Sequence, residues 1–450
     1  MDKKYTIEKL IREAYEKGVF NGTWLYAENG EIVSEGAIGY RDPEKKNPIE
    51  ETDIFDIGSV SKQFTATAIM LLRRKGLLDL DDGVAKYFPK IPCSGITIRQ
   101  LLIHTSGLPD YMAWVTQLAQ KENVIPDNNV VLRFLTESGA EPLFTPGSKF
   151  EYCNTGYCLL AEIVAKVSGI PFAEFLKENI FEPAGMHSTA LIHRFKDGLK
   201  IDNLPCGEVY EDGNYILAED SQWGSLVISI DGSDGDGFVK STISDLYRWD
   251  RALREGTVLT REEQDIMYSP GRLNNGELSR SERGYGFGWG IFEHPVLGKT
   301  VQHAGEIPGY HSYYVRMLDA DRVLITLCSR TGIDAFAEEA FYSSVAMVAF
   351  DQEPDPLKFL EDHAIEETDR SGWDTLCGRY EAKGSGWIVE EVFMEDGELY
   401  AWMFETELGD RFKTRLYPLD NNSFGIKLAA VPIVFGDGFL DFGGELCKKV

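Results

Sequence analysis

The chain has 450 residues, 43% hydrophobic and 26% charged, a globular composition long enough for two or three domains. Forty-five lysines and arginines against seventy-three aspartates and glutamates leave a net charge of −28. That argues against nucleic acid and an anionic membrane surface as partners, because both need clustered positive charge.

The opening "MDKKYTIEKLIREAYEKGVF" predicts an amphipathic helix over residues 5–17, with Ile7, Leu10, Ile11 and Ala14 on its apolar side. It lacks the apolar core and cleavage site of a secretion signal, and no stretch approaches the roughly 20 apolar residues of a membrane span. The expectation is a cytoplasmic chain, secreted only if a leader was removed. "GTWLYAENGEIVSEGAIGYRD" predicts two strands about an Asn29-Gly30 turn. From Ser59, the spacing of Val60, Phe64, Ala68, Leu71 and Leu72 predicts an amphipathic helix that stops at Gly76. Helical signals with interruptions fill residues 97–195, and "STISDLYRWDRALREG" predicts another helix. "GYGFGWGIFE" and the run from Lys299 to Arg330 predict consecutive antiparallel strands, followed by a helix in "DAFAEEAFYSSVAMVAF". Strands near both ends of residues 1–350 with helices between them predict an α/β (α+β) domain with helices packed on an antiparallel sheet. Residues 351–371, acidic with two prolines, predict a linker. Short strands with turns at Asp396-Gly397 and Asp437-Gly438 predict a small all-β domain over residues 372–450.

Seven cysteines, at 93, 153, 158, 206, 328, 377 and 447, form no CxxC pair, and seven histidines form no HExxH. Reduced thiols and no metal or other cofactor are expected. The loop "DGSDGDG" lacks the spacing of a calcium site and predicts a glycine-rich loop. Two pairs of residues and one histidine invite chemistry. Ser59 and Lys62 lie one helical turn apart, so the amine can reach the hydroxyl near a helix N-terminus. Read alone, this is a helix cap and a surface lysine. Tyr152 and Asn154, two apart in an extended segment, point the same way. A phenolate can take a proton from serine, and an amide can hold a carbonyl and an amine. Alone they are a packed tyrosine and a turn asparagine, with Cys153 between them turned to the core. His303, followed by Ala304-Gly305 on a predicted strand, suits an active-site edge or a structural histidine.

In this order the motifs Ser59-Val60-Ser61-Lys62, Tyr152-Cys153-Asn154 and His303-Ala304-Gly305 resemble those of the serine β-lactamase and penicillin-binding-protein superfamily, in its class C β-lactamase-like esterase and peptidase branch. "TIRQLLIHTSGLPDY", "FTPGSKFEYCNTGY" and "GYGFGWG" strengthen the likeness, which spans roughly residues 10–350. The resemblance implies a β-lactamase/transpeptidase-like fold with an all-helical subdomain. It implies that Ser59 is the acylated nucleophile, that Lys62 and Tyr152 share the proton transfers, and that Asn154 positions the substrate and Lys62. The oxyanion hole would be the backbone N–H groups of Ser59 and Glu306, the residue after Gly305. His303 stands where β-lactamases and carboxypeptidases of the family carry a carboxylate-binding lysine. Glu306 adds negative charge, as do Asp231, Asp234 and Asp236. The expected function is therefore hydrolysis of an ester or amide of a small molecule or short peptide. A β-lactamase or D-Ala-D-Ala carboxypeptidase and a catalytically silent scaffold are the alternatives. The last 80 residues or so resemble small barrel-like modules fused to relatives, which either cap the site or stand apart from it. A second copy of the chain is an open partner.

Overall fold

A computed structural model describes the whole chain except residues 92–94, 123, 138–140, 281–283, 366–369, 383–386, 406–409 and 421. Cys93 and part of the acidic segment 351–371 thus lie outside the described residues.

The first helix, α1 (Lys3–Glu16), is capped by the Asp2 carboxylate and buries the four predicted residues. Strands β1 (Gly22–Glu28) and β2 (Glu31–Ile38) follow, turning at Asn29 and Gly30, both with positive φ as a tight hairpin requires. Five later strands, β3 (Gly284–Tyr285), β4 (Gly290–His294), β5 (Gly298–Ile307), β6 (Tyr310–Met317) and β7 (Arg322–Cys328), complete one antiparallel sheet in the order β2-β1-β7-β6-β5-β4-β3. The pairing of β1 with β7, from Gly22 opposite Cys328 to Glu28 opposite Arg322, joins the two ends of the first 350 residues.

Both faces of this sheet are covered. In β1, Trp24 and Tyr26 enter a core shared with α1 and the helix Ala335–Ala349, while Leu25 and Ala27 enter the larger core beneath the remaining helices. That period of two explains why β1 is buried continuously from Gly22 to Ala27 rather than on alternate residues. A buried ion pair ties the layers: Arg316 on β6 donates to Asp250 at 2.7 Å and to the Tyr268 hydroxyl at 2.6 Å.

The helix predicted from Ser59 differs in two respects. Residues Gly58–Ser61 form one 3-10 turn, and the α-helix α2 runs from Lys62 to Arg74. It is buried on every side from Lys62 to Leu72, not amphipathic. Two of its polar side chains meet distant partners: Gln63 accepts from Trp249 Nε1 at 3.2 Å, and Thr65 donates to the Gly235 carbonyl at 2.6 Å, while Gln63 Nε2 is buried without a partner among the described residues. The helix Met112–Glu122 falls within the helical stretch expected over residues 97–195, while helices at Gly224–Ile230 and Arg261–Met267 were not predicted.

Strands from Gly378 to Lys449 form a second antiparallel sheet around a core of their own, including Trp373, Val389, Met403, Phe424 and Leu440. Its first and last strands in sheet order, Asp410–Arg415 and Tyr417–Pro418, adjoin in sequence, so the sheet nearly closes. It contacts the rest of the chain. The Ala335 N–H donates to the Lys427 carbonyl at 2.8 Å, and Trp223 stacks on Phe412 with centroids 5.2 Å apart. Within the acidic segment, Leu357 and Leu360 are buried, and the Leu360 N–H donates to Asp334.

Candidate active site

The short strand Phe55–Asp56 pairs with Val239–Ser241, and the chain then turns sharply at Gly58. Gly58 has φ +48°, and a Cβ there would lie 2.8 Å from the backbone nitrogen of Glu306. Asp56 holds the turn: its carboxylate accepts the Gly58 N–H at 2.9 Å and pairs with buried Lys240 at 3.0 Å. The 3-10 turn then has a chemical consequence. Residues three apart eclipse in that geometry, which stacks Lys62 over Ser59. Ser59 reaches solvent between buried Gly58 and Val60.

Lys62 is fully buried, and its ammonium group has three acceptors: Ser59 Oγ at 2.9 Å, Asn154 Oδ1 at 2.9 Å and the Asp236 carbonyl at 2.8 Å. Three acceptors match the three N–H donors. Each comes from a different part of the chain. Asn154 is the first residue of the helix Asn154–Ser168; its N–H donates to Asp110 at 2.7 Å, supplying the cap that Cys153 lacks. Burial raises the Asp110 carboxyl above its ordinary value against the pull of that N–H. Asp236 comes from the glycine-rich loop, and its carboxylate, likewise raised by burial, accepts from Tyr111 at 3.0 Å. Of the three loop aspartates only Asp236 lines the cleft. Asp231 instead accepts the N–H groups of residues 194–196, and Asp234 pairs with His193 at 2.8 Å.

Tyr152 is 39% exposed at the mouth of the site, with Lys62 Nζ 4.9 Å from its ring centroid. Cys153 is buried and turned away, donating to the Leu108 carbonyl. His303, on β5, is buried between two partners: Tyr285 donates to Nε2 at 2.9 Å, and Nδ1 donates to the Ala304 carbonyl. Burial and the Lys62 charge push its pKa down to about 3, so the ring is neutral at pH 7. Gly305 is required by close approach. A Cβ there would lie 2.0 Å from the Ile57 carbonyl oxygen and 2.6 Å from Ser312 Oγ. The same contact brings the Glu306 backbone nitrogen up to the turn that carries Ser59. The Glu306 carboxylate is wetted by the cleft, yet the protein around it desolvates it and raises its carboxyl.

These residues line a cleft of about 850 Å³. Ser59, Tyr152, Asn154, His303 and Glu306 all face it. From Glu306 it continues past Glu338, whose carboxyl burial and the Glu306 charge push up to about 8, to a far wall made by Lys427–Ala430 of the second sheet. The C-terminal strands therefore contact the cleft, which their sequence left open. Sequence reasoning missed His104, Asp110 and Tyr285. The phrases "IHTSGLPDY" and "GYGFGWG" contain all three residues, but nothing in them says that they meet Tyr152 or His303.

The Beta-lactamase family model matches residues 7–346. Penicillin-binding protein 4* of Bacillus subtilis (strain 168) is 34% identical over 436 residues, covering 96% of this chain and 94% of its own. Among solved structures, the octameric penicillin-binding protein homologue from Pyrococcus abyssi is similar over 98% of this chain and 99% of its own, with TM-score 0.66 and 24% identity. The D-amino acid amidase from Ochrobactrum anthropi SV3, complexed with L-phenylalanine amide, covers 78% of this chain and 99% of its own, with TM-score 0.61 and 23% identity. At these identities the structural likenesses show the fold.

Proposed function

The chain belongs to the Beta-lactamase family, and from that premise we propose that it cleaves an ester or amide of a small molecule or short peptide through an acyl-enzyme on Ser59. The observation that carries the proposal is the buried Lys62 amine 2.9 Å from a solvent-reached Ser59 Oγ at the floor of the cleft. In this mechanism the Lys62–Tyr152 pair acts in the form that lacks one proton, and Ser59 Oγ attacks the carbonyl carbon as its own proton passes to that pair. The N–H groups of Ser59 and Glu306 receive the developing oxyanion, each supplying about 3 kcal/mol to the barrier lowering. The same proton then goes to the leaving oxygen or nitrogen as the carbonyl reforms. Water, deprotonated by the same pair, attacks the acyl-enzyme and returns Ser59 as the free hydroxyl. Asn154 holds Lys62 and offers its amide nitrogen to the acyl side chain.

The neutral His303 supports an ester or amide over a penicillin or a peptidyl-D-alanine. It offers no cation to a substrate carboxylate, and the cleft it lines also holds the Glu306 carboxyl. The structural likeness to the D-amino acid amidase of Ochrobactrum anthropi SV3 fits this ranking. The second reading, acylation by a β-lactam, rests on the 34% identity to a protein named as penicillin-binding. Residues 372–450 are proposed as a separate folding unit that bounds the substrate's reach, and self-association, as in the octameric relative, is testable by light scattering. The deciding experiment is turnover of p-nitrophenyl esters, D-aminoacyl amides and nitrocefin by the wild type and Ser59→Ala. Ester or amide turnover that vanishes in Ser59→Ala supports the proposal. Nitrocefin turnover dominating would favour the second reading, and no Ser59-dependent turnover or fluorophosphonate labelling would leave a silent scaffold.

A further inference from the structure

His104 stands behind Tyr152 and grips it in three ways. Its main-chain carbonyl accepts the Glu151 N–H at 2.9 Å, and its ring Nδ1 accepts the Cys153 N–H at 3.1 Å. The residues on both sides of Tyr152 are thus bonded to one histidine. Between those bonds the His104 ring lies against the Tyr152 ring, centroids 4.2 Å apart and planes 30° from parallel. Tyr157 backs the other contact at 5.1 Å and 31°, and Tyr285 meets the imidazole edge-on at 4.8 Å. Lys62 Nζ lies 5.5 Å from the Tyr157 centroid, so the amine sits beside the same group of rings.

Two costs mark this residue as more than filling. His104 holds φ +54°, a left-handed conformation uncommon for a side chain of this size. Its Nε2 is buried without a hydrogen-bond partner among the described residues. Because Nδ1 accepts, the neutral ring carries its proton on that unpartnered Nε2. Phenylalanine would give the same stacking face with no unpaired donor, but it could not accept the Cys153 N–H. Burial and the Lys62 charge hold the imidazole well below its ordinary range, so it stays an acceptor at neutral pH.

We propose that His104 is the positioning residue of Tyr152: by holding residues 151 and 153 and the ring between them, it fixes where the phenolic oxygen stands over Ser59 and so governs proton delivery to the leaving group. The inference rests on the proposed Ser59 mechanism. Its consequence is selective, because an alkoxide or amide anion must be protonated as it leaves and a p-nitrophenolate need not be.

The test compares wild type, His104→Asn, His104→Phe and His104→Ala on a p-nitrophenyl ester and on the alkyl ester of the same acid. His104→Asn offers an oxygen to the Cys153 N–H but loses the ring; His104→Phe does the reverse. We expect kcat on the alkyl ester to fall by about 100-fold in His104→Ala and by less in the other two, with under about 10-fold loss on the p-nitrophenyl ester and KM little changed. In a Tyr152→Phe background the same His104 substitutions should change alkyl-ester turnover less than about two-fold, since there is no phenol left to position. Equal fractional losses for both leaving groups, or the same loss with and without the phenol, would overturn the proposal and leave a purely structural histidine. If His104→Ala does not fold, the Asn and Phe variants carry the same contrast. Undiminished wild-type turnover in Ser59→Ala would instead sink the underlying mechanism, a different outcome from an unchanged leaving-group dependence.

Discussion

Gly305→Ala tests whether the tight contact of β5 with the Ser59 turn builds the oxyanion site. The added methyl would lie 2.0 Å from the Ile57 carbonyl oxygen and 2.6 Å from Ser312 Oγ. Non-bonded carbon and oxygen do not tolerate such separations, so β5 must withdraw by about 1 Å or more. Ser312 Oγ donates to that same Ile57 carbonyl at 2.7 Å, so the bond that pins β6 to the turn is strained as well. Overpacking of this kind costs about 1–3 kcal/mol of stability. The Glu306 N–H would move with its strand and lose its aim at the oxyanion, a loss of about 3 kcal/mol in the barrier or roughly 100-fold in kcat. The assay is kcat and KM on a p-nitrophenyl ester at a temperature where circular dichroism shows the variant folded. A folded Gly305→Ala enzyme with wild-type kcat would refute the placement of the oxyanion donor.

Glu338 binds its proton more tightly in the folded chain than in the unfolded one. The stability that this supplies is complete below about pH 4.5 and is lost as pH rises to about 8. Glu338→Gln keeps an acceptor for the Gly332 and Ile333 N–H groups and cannot ionise. Its melting temperature should therefore fall less than the wild type's between about pH 5 and pH 9, and parallel curves would contradict the assignment. Asp250→Ala leaves buried Arg316 without its carboxylate and should cost about 3 kcal/mol or more in urea denaturation; under about 1 kcal/mol would show that Tyr268 and water suffice. Ala429→Trp narrows the far wall of the cleft, so KM should rise for esters of long acyl chains and stay unchanged for the acetate. Equal effects on both would place that wall beyond the substrate.

Local pattern made several elements legible. The period of α1, the Asn29-Gly30 turn and the strands from Lys299 to Arg330 are written in spacing that depends on near neighbours. The Ser59–Lys62 pair was also legible, since three residues fix the geometry. Helix α2 was misjudged because Gln63 and Thr65 turn to Trp249 and Gly235, roughly 170 or more positions away. Asp236 looked like part of an acidic loop because its bond to Lys62 spans 174 residues. His104 was hidden for the same reason. Its neighbours in sequence say nothing of Cys153, 49 residues on, or of the tyrosine ring between them. The site is built from several remote segments, and only the contacts within one turn left a signature.

The most direct test is the mass of the protein quenched during turnover of a p-nitrophenyl ester. The account predicts one acyl group on the peptide that contains Ser59, accumulating and decaying at the rate of turnover, and absent along with activity in Ser59→Ala. Turnover that persists in Ser59→Ala, or proceeds with Ser59 unmodified, would contradict it.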